Sequence, residues 1–317
     1  MPQSPVIFNH DAAIDEYMAL VLLTTMETVD LQAAIITGAD CVPDAAMDTS
    51  WKIQSYIEQT GLPVGLSQVC GWNPFPWAYR GDCFKQGSIE ALRGVTPNLD
   101  WPPYPDGDAL LAELLAKAAA GTKVTLLVNC PLKTLQATLA ANPGLEQGIE
   151  RVIWMGGAIN VPGNLDPTTV PYQVANPSAE WNAFWDPVSV DWIFKNTSFP
   201  ITLFPLDVTD DAPISEQFMQ RLAAQRQTYR YSDLAYQSYG LVSSEPFYDM
   251  WDTLTTSYLV HPEFFEPPTL LNVSIVTEGF YQGTLQVVES GGRAMEVVLK
   301  LTDSEGFYDY MLQQFRR

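Results

Sequence analysis

Residues 6–20 read VIFNHDAAIDEYMAL, a short apolar run that turns abruptly polar and then resumes with apolar residues at helical spacing. The run 6–8 predicts a buried strand, and Asp11 follows its end. Asp15 and Glu16 then open a predicted helix. Ligands of open α/β sheets bind beyond the carboxyl ends of strands, so these acids are expected at a ligand site. Carboxylates gathered so closely repel one another unless a cation lies among them, and oxygen ligands suit Ca²⁺ or Mg²⁺.

A second interpretation of Asp15 and Glu16 is that they are acids of a first helical turn, favoured there by the helix dipole. It does not explain Asn9 and Asp11 at the strand end. Polar or glycine residues also recur where later predicted strands end and where one later helix begins. They are Asp40, Asn129, Gly156-Gly157, Asp207 and Asp252.

Predicted strands and helices alternate through most of the chain, which is typical of a parallel sheet covered on both faces. A late β segment spans 271–301, and a final helix is expected over 304–315. The prediction is therefore an α/β fold with an open, mostly parallel, Rossmann-like sheet covered by helices.

The composition bounds the size of the core and the class of partner. The chain has 317 residues, 47% of them apolar, and a net charge of −21. This predicts a single domain over 1–317, and it argues against nucleic acid or an anionic membrane as partner, because both attract basic patches. No signal-peptide pattern and no membrane-spanning apolar run is evident, so the expected compartment is the cytoplasm. The cysteines lack CxxC spacing and are expected to be free thiols.

Between about residues 68 and 106, aromatic residues and prolines replace the alternating pattern. Long loops inside compact domains are often lids or binding loops. Aromatic side chains there either stack on a planar ligand or pack the loop onto the body of the protein, and the sequence leaves both interpretations open. The aromatic residues considered are Trp72, Trp77, Tyr79, Trp101 and Tyr104.

The order of these segments resembles the inosine–uridine preferring nucleoside hydrolase family over about residues 5 to 315. The family's N-terminal motif, DxDPGxDD, stands here as NHDAAIDE at residues 9–16. LLVNCPLKTL at 126–135, VIWMGG at 152–157 and AEWNAFWDP at 179–187 match the family's LTN-type helix start, its MGG strand and its AEFNxxxDP segment. FPLDVT at 204–209 and the helix at Asp252 follow in the family's order.

The resemblance implies hydrolysis of the N-glycosidic bond of a ribonucleoside, with one Ca²⁺ at the bottom of the pocket and Asp11 as general base. The implied metal ligands are Asp11, Glu16, Asn129 through its backbone oxygen, and Asp252. The implied substrate-binding residues are Asp15, Asp40, Glu180, Asn182, Trp251, Asp252 and Asn164, with Asn176 as the alternative to Asn164. Family members commonly form dimers or tetramers, so a homodimer or homotetramer is expected.

The chemistry agrees with this assignment. Cleavage of an N-glycosidic bond builds positive charge on the ribose ring, and carboxylates around the ring stabilise that charge. A metal lowers the pKa of its bound water, and a neighbouring carboxylate such as Asp11 removes the proton.

Departures from the family's motifs concern metal binding and the leaving group. Asn9 replaces the first aspartate of the N-terminal motif, which predicts weaker orientation of the metal ligands. Ala12 and Ala13 replace Pro-Gly, and alanine is disfavoured there if the turn needs a positive φ. Glu16 is one methylene longer than the usual aspartate, which flexible calcium geometry tolerates. Trp251 stands where many members carry a histidine that acts as leaving-group acid.

The leading hypothesis is Ca²⁺-dependent hydrolysis of a ribonucleoside with Asp11 as base. One alternative is a relative that binds a nucleoside or other ribosyl ligand without turnover, and another is a hydrolase of a different ribosyl-like substrate. Phosphoryl transfer is set aside because Asn9 stands where an aspartyl nucleophile would be needed. His10 is expected to be structural, since a side chain next to Asp11 on a strand points to the opposite face.

Overall fold

A nine-stranded sheet forms the centre of the computed structural model, which describes residues 3–165, 168, 170–173, 175–245 and 247–317. Its strands, β1–β9 along the chain, are Ser4–His10, Val29–Ile36, Val64–Leu66, Val124–Asn129, Ile149–Met155, Ile201–Phe204, Thr269–Ile275, Leu285–Val287 and Arg293–Val297. Their order across the sheet is β3-β2-β1-β4-β5-β6-β9-β7-β8. Pairs from β3 to β9 are parallel, whereas β7 runs antiparallel to β9 and β8. The predicted open, mostly parallel α/β sheet is confirmed.

Helices cover both faces of this sheet. In the described part of the chain they are numbered α1–α13 and are Ile14–Leu23, Pro43–Tyr56, Trp77–Arg80, Asp82–Gly87, Gly107–Ala119, Lys133–Ala141, Trp181–Trp185, Pro187–Asn196, Leu206–Thr209, Glu216–Gln225, Arg230–Tyr239, Trp251–Ser257 and Ser304–Gln314. Every residue of α1 is buried, because α1 also packs against α11 and α12.

The alternation of side chains along β1 divides the core into two layers. Val6 and Phe8 belong to the layer that contains α1, whereas Ile7 belongs to the layer on the opposite face. His10 follows the same alternation: its ring is fully buried and stacks on Phe8 with 4.7 Å between ring centroids. The edge of Tyr17 completes its surroundings. His10 is therefore a core residue, as its strand position predicts.

The segment from about 68 to 106 is more structured than a loop. It contains α3 and α4, and the rings of Trp101 and Tyr104 pack against the core. Trp72 and Trp77 remain 72% and 70% exposed, and neither lines the cavity described below. The packing interpretation is thus correct for Trp101 and Tyr104. No helix in the described part of the chain is long and apolar enough to cross a membrane.

Candidate active site

The order of the strands reverses between β1 and β4. From β1 the chain continues to β2 and β3 on one side, whereas β4, β5 and β6 follow one another on the other side. Connections that diverge in this way leave a crevice at the carboxyl edge of the sheet, where ligands of doubly wound folds bind. Asp11 directly follows β1, and Asn129 ends β4. Both predicted strand-end residues therefore lie at this switch point.

A cavity of about 890 Å³ is present at this edge, which is within the size range of small-molecule sites. Most of the candidate residues from the sequence line it. These are Asp11, Glu16, Asp40, Asn164, Glu180, Asn182, Trp251 and Asp252. Asp15 and Asn129 are fully buried and are not among its lining residues.

Asp11 and Glu16 form a hydrogen-bonded carboxyl pair. Burial is the largest cause that raises both pKa values well above the ordinary carboxyl range, and their hydrogen bond raises the pKa of Glu16 while it lowers that of Asp11. The backbone N–H of Asp40 donates to Asp11 Oδ2 at 3.3 Å. Buried carboxyls this close cannot all ionise without a compensating positive charge.

Asp252, near the start of α12, is positioned by Asp15. Asp15 Oδ2 accepts the backbone N–H groups of Asp252 at 2.7 Å and Thr253 at 2.8 Å, and Oδ1 accepts the hydroxyl of Tyr239 at 2.7 Å. The side chain of Asp15 is fully buried, and protein donors engage both of its oxygens. Asp15 therefore holds the first turn of α12, and its contact with the ribose stays a prediction.

The oxygens around Asp11 agree with Ca²⁺ in chemical type. Buried oxygens without a hydrogen-bond partner among the described residues include Glu16 Oε2, Asp40 Oδ1, Asn129 Oδ1 and Asp252 Oδ1. Carboxylate and amide oxygens are the donors that calcium takes. The spacing of these oxygens does not yet form a metal site. Among the described residues, no three histidine, cysteine or carboxylate side chains form a group that could hold a metal ion.

Asn129 lies behind Asp252 rather than on the cavity. Its side-chain amide donates to the backbone oxygen of Asp252 at 3.2 Å and is fully buried. The amide of Asn129 therefore supports the first turn of α12, which Asp15 also holds. That the backbone oxygen of Asn129 contacts a metal stays a prediction.

Glu180 connects two motifs that lie apart in the sequence. Its Oε1 accepts the N–H of Asn182 at 2.8 Å, which caps α7, and its Oε2 accepts the N–H of Gly157 at 2.7 Å. Gly157 has a φ of +76°, and a Cβ there would collide with the side chain of Leu285, so only glycine fits. Burial raises the pKa of Glu180 to about 7. The MGG and AEWN motifs thus build one wall together.

Asn182 completes that wall. Its side-chain amide donates to the backbone oxygen of Met155 at 3.1 Å, and both residues line the cavity. This bond fixes the orientation of the amide, so that the nitrogen faces β5.

Between the two alternatives Asn164 and Asn176, only Asn164 lines the cavity. Asn164 is exposed at the rim, and its backbone N–H donates to Ala179 O at 3.1 Å. Asn176 is fully buried and its amide donates to Gln282 O at 2.8 Å, while its oxygen accepts the N–H of Ser178. Asn176 is therefore structural.

Two of the departures in the N-terminal motif, at Asn9 and Ala12, have local structural consequences. Ala12 adopts a φ of 69°, a left-handed conformation that proline cannot adopt and that other L residues rarely adopt. Asn9 donates through its amide to Ile35 O at 2.9 Å and to Thr37 Oγ1 at 3.0 Å. An ionised carboxylate has no hydrogen to donate to Ile35 O. Asn9 and Ala12 thus fit the hydrogen bonds and the backbone conformation that this turn has in the present chain.

Aromatic side chains form two parts of the cavity lining. Trp251 donates its indole N–H to Asp210 Oδ1 at 3.0 Å, and its ring lies 4.9 Å from that of Tyr248. Elsewhere on the lining, the ring centroid of Trp181 lies 4.8 Å from that of Phe75 and 6.0 Å from that of Tyr79. Flat aromatic surfaces beside a carboxylate cluster suit a ligand with a planar ring and a polar, hydroxylated part.

Several lining residues were not identified from the sequence. They are Phe75, Asp82, Lys85, Trp181, Asp210, Glu245, Phe247, Tyr248 and Asp249. Phe75 and Tyr79 are four residues apart, and Trp181 lies inside the AEWN motif, so these carried a signal. The acids, Lys85 and the aromatic residues near 247 stand in no motif, and only the folded chain brings them to the cavity.

The chain is similar to known nucleoside hydrolases in both sequence and structure. The family model described as inosine-uridine preferring nucleoside hydrolase matches residues 6–309. The pyrimidine-specific ribonucleoside hydrolase RihA of Shewanella woodyi is 27% identical over 98% of this chain and 97% of its own. The inosine-uridine preferring nucleoside hydrolase of Bacillus anthracis superposes with a TM-score of 0.87 at 29% identity, covering 99% of both chains. The purine-preferring ribonucleoside hydrolase of Gardnerella vaginalis, with a TM-score of 0.79 at 17% identity over 99% of this chain and 98% of its own, shares the fold.

Proposed function

Because the chain belongs to the inosine–uridine preferring nucleoside hydrolase family, a family of enzymes, we propose that it hydrolyses the N-glycosidic bond of a ribonucleoside to free base and ribose. The observation that carries the proposal is the buried Asp11–Glu16 carboxyl pair at the switch point, inside a cavity of about 890 Å³. A water molecule in that cavity attacks C1′ of the ribose while the bond to the base breaks.

Asp11 is the general base of the proposed reaction. It removes a proton from the attacking water, and the N–H of Asp40 holds its Oδ2 in place at 3.3 Å. By the family resemblance, Asp11, Glu16, Asn129 and Asp252 would hold Ca²⁺ if their oxygens moved closer together than they lie here. The bound ion would lower the pKa of a water and orient it. Asp15 holds Asp252 in position for this purpose.

The positive charge that develops on the ribose ring faces a lining rich in carboxylates. Asp40, Glu180 and Asp252 supply oxygen acceptors for ribose hydroxyls and a negative potential around the ring. Asn182 and Asn164 add amide groups on the same lining. The aromatic surfaces of Trp251 and Trp181 suit the planar base. This division assigns the acids to the sugar and the rings to the base.

Uridine is the substrate to test first. The Shewanella woodyi relative is described as pyrimidine-specific, and the Bacillus anthracis structure as inosine-uridine preferring, so uridine is common to both descriptions. By the family resemblance, the proposal includes a homodimer or homotetramer. From the sequence patterns, it also includes a cytoplasmic location. Light scattering of the purified protein and fractionation of cells that produce it test this part.

The test is release of ribose from uridine, inosine and p-nitrophenyl riboside by the wild type, Asp11→Ala and Asp30→Ala, with bound calcium measured in parallel. Asp30 is exposed on β2 and serves as the control. We expect Asp11→Ala to lose about 10²–10⁴-fold in rate, the range for a general base, and Asp30→Ala to keep it. Bound nucleoside without turnover by the wild type would favour the binding alternative. Turnover that Asp11→Ala leaves intact would refute the assignment of the base.

A further inference from the structure

The base that leaves the ribose needs a partner for its negative charge. When the C1′–N bond breaks, its electron pair stays on the base. Trp251 stands at the position of the family's usual histidine acid, and its indole N–H is already bonded to Asp210 at 3.0 Å. No histidine occurs among the described lining residues. The family's usual histidine acid therefore has no counterpart among the described lining residues.

Lys85 is the one cationic side chain among the described residues that line the cavity. It lies on α4, which is firmly anchored. The amide of Gln86 donates to Ser238 Oγ at 2.8 Å, and the hydroxyl of Thr49 donates to Cys83 O at 2.8 Å. The neighbouring Arg80 does not line the cavity, and its Nε donates to Cys41 O. The packing of α4 thus fixes the backbone position of Lys85.

The ammonium of Lys85 keeps donors available for a ligand. Its Nζ lies 2.7 Å from Oδ1 of Asp82, which is only 6% exposed, and this is its one side-chain hydrogen bond among the described residues. An ammonium has three N–H donors, so two remain. The hydrogen bond to Asp82 also raises the pKa of Lys85, which keeps it protonated.

A row of acidic side chains connects Lys85 to Asp11, the proposed general base. Asp40 donates its N–H to Asp11 and is close enough to Asp82 for their charges to interact, and Asp82 holds Lys85. Burial, and then nearby charges that include those of Asp82 and Asp40, raise the pKa of Tyr248. The row leads from the buried carboxyl pair to the half-exposed ammonium, whose side chain is 47% exposed.

We propose that Lys85 is the leaving-group residue of the proposed hydrolysis. As the C1′–N bond breaks and the water oxygen bonds to C1′, the ammonium donates a hydrogen bond to a carbonyl oxygen or ring nitrogen of the base and stabilises the electron pair left there. The proton of the water goes to Asp11 and then to solvent, and the released base takes a proton from solvent. Lys85 keeps its own proton throughout. This inference rests on the proposed function.

The test compares leaving groups that differ in their need for stabilisation. p-Nitrophenolate is stable as an anion, whereas the anions of uracil and hypoxanthine are more basic. We expect Lys85→Met to lose about 10²-fold or more in kcat on uridine and inosine, the scale for loss of one hydrogen-bond donor to a developing negative charge, and to lose less than about 5-fold on p-nitrophenyl riboside. Lys85→Arg, which keeps the charge, is expected to restore part of the loss on the nucleosides.

Lys195→Met is the matched control, because Lys195 also pairs with a carboxylate, Asp191, but lies away from the cavity. It is expected to keep wild-type rates on all substrates. Lys85→Gln and thermal unfolding of every variant guard against a loss caused by misfolding. Equal losses by Lys85→Met on nucleosides and on p-nitrophenyl riboside, or no loss on either, overturn the role of Lys85. A wild type inactive on all three substrates overturns the proposed function itself and this inference with it.

Discussion

The carboxylate of Asp15 accepts the backbone N–H of Asp252 at 2.7 Å across 237 positions of sequence. This bond joins the first turn of α1 to the first turn of α12, and Tyr239 from α11 donates to the same carboxylate. Acidic groups at helix N-termini are favoured because they accept otherwise unsatisfied N–H donors. Asp15 of α1 thus caps the N-terminus of a different helix, α12. The residue that it fixes, Asp252, is the one expected to face both metal and ribose.

Replacement of Asp15 by Asn tests this positioning role. The amide keeps one oxygen, but its NH₂ faces N–H donors, so we expect a loss of about 2–4 kcal/mol in the free energy of unfolding. Urea unfolding measures it, and Asp30→Asn on exposed β2 is expected to stay within about 0.5 kcal/mol. A stable Asp15→Asn variant with weakened ribose inhibition would instead support the original ribose assignment.

Ala12 and Ala13 offer a matched pair for the turn after β1. Both are buried alanines, but Ala12 has a φ of 69° and Ala13 a φ of −79°. Glycine at either position loses a similar methyl group, and only Ala12→Gly relieves the left-handed strain. We expect Ala12→Gly to be more stable than Ala13→Gly by about 1–2 kcal/mol in chemical unfolding. Ala12→Pro is expected to cost about 3 kcal/mol or more, since proline fixes φ near −65°. Equal stabilities of the two glycine variants would show that the turn is not strained.

Asn9 is expected to resist replacement by the family's aspartate. Its amide donates to Ile35 O, and a carboxylate there would place two oxygens in contact in a site that is 3% exposed. We expect Asn9→Asp to lose about 2–3 kcal/mol at pH 7.5, and less near pH 4.5, where a protonated carboxyl can donate. Asn196→Asp is the control, because Asn196 makes the same amide-to-carbonyl bond, to Trp192 O, on the exposed end of α8. Its expected cost is below about 1 kcal/mol. A gain in stability for Asn9→Asp would contradict the match between Asn9 and its surroundings.

The buried carboxyl cluster makes the stability of the calcium-free protein depend on pH, and bound calcium is expected to remove this dependence. The pKa values of Asp11, Glu16 and Asp252 are raised in the folded protein, chiefly by burial, so the folded state binds more protons than the unfolded state. Their stabilisation is complete below the ordinary carboxyl pKa of about 4 and is lost as the pH rises through the raised values. Chelator-treated protein is therefore expected to have a lower Tm at pH 7.5 than at pH 5.

Calcium should raise the Tm far more at pH 7.5 than at pH 5, because it binds the ionised carboxylates and compensates their charge. Calorimetry with chelator, with 1 mM Ca²⁺ (about 100-fold or more above the dissociation constant of a functional site) and with Mg²⁺ as the comparison measures this effect. Absence of any calcium-dependent shift at pH 7.5 would rule out a cation among Asp11, Glu16 and Asp252.

The fold was largely predictable from the sequence because local patterns determine it. The final helix was expected over 304–315, and α13 spans Ser304–Gln314. The apolar runs that became β1, β2 and β4 ended at polar residues. A parallel strand buried on both faces must be apolar throughout, and its end must be polar where the chain leaves the core. The same rule identified Asp11, Asp40 and the Gly157 turn as residues at the edge of the sheet.

The sequence by itself determined the α/β class and most of the carboxylates around the cavity. Tertiary structure alone decided which of them face it. Asp15 and Glu16 are adjacent, yet Asp15 turns to the N–H groups of α12 and Glu16 to Asp11, because successive helix positions point about 100° apart. Asn164 lines the cavity and Asn176 does not, and Lys85 reaches it from a helix inside an apparent loop. Such choices depend on partners that lie far apart in sequence, and no local pattern records them.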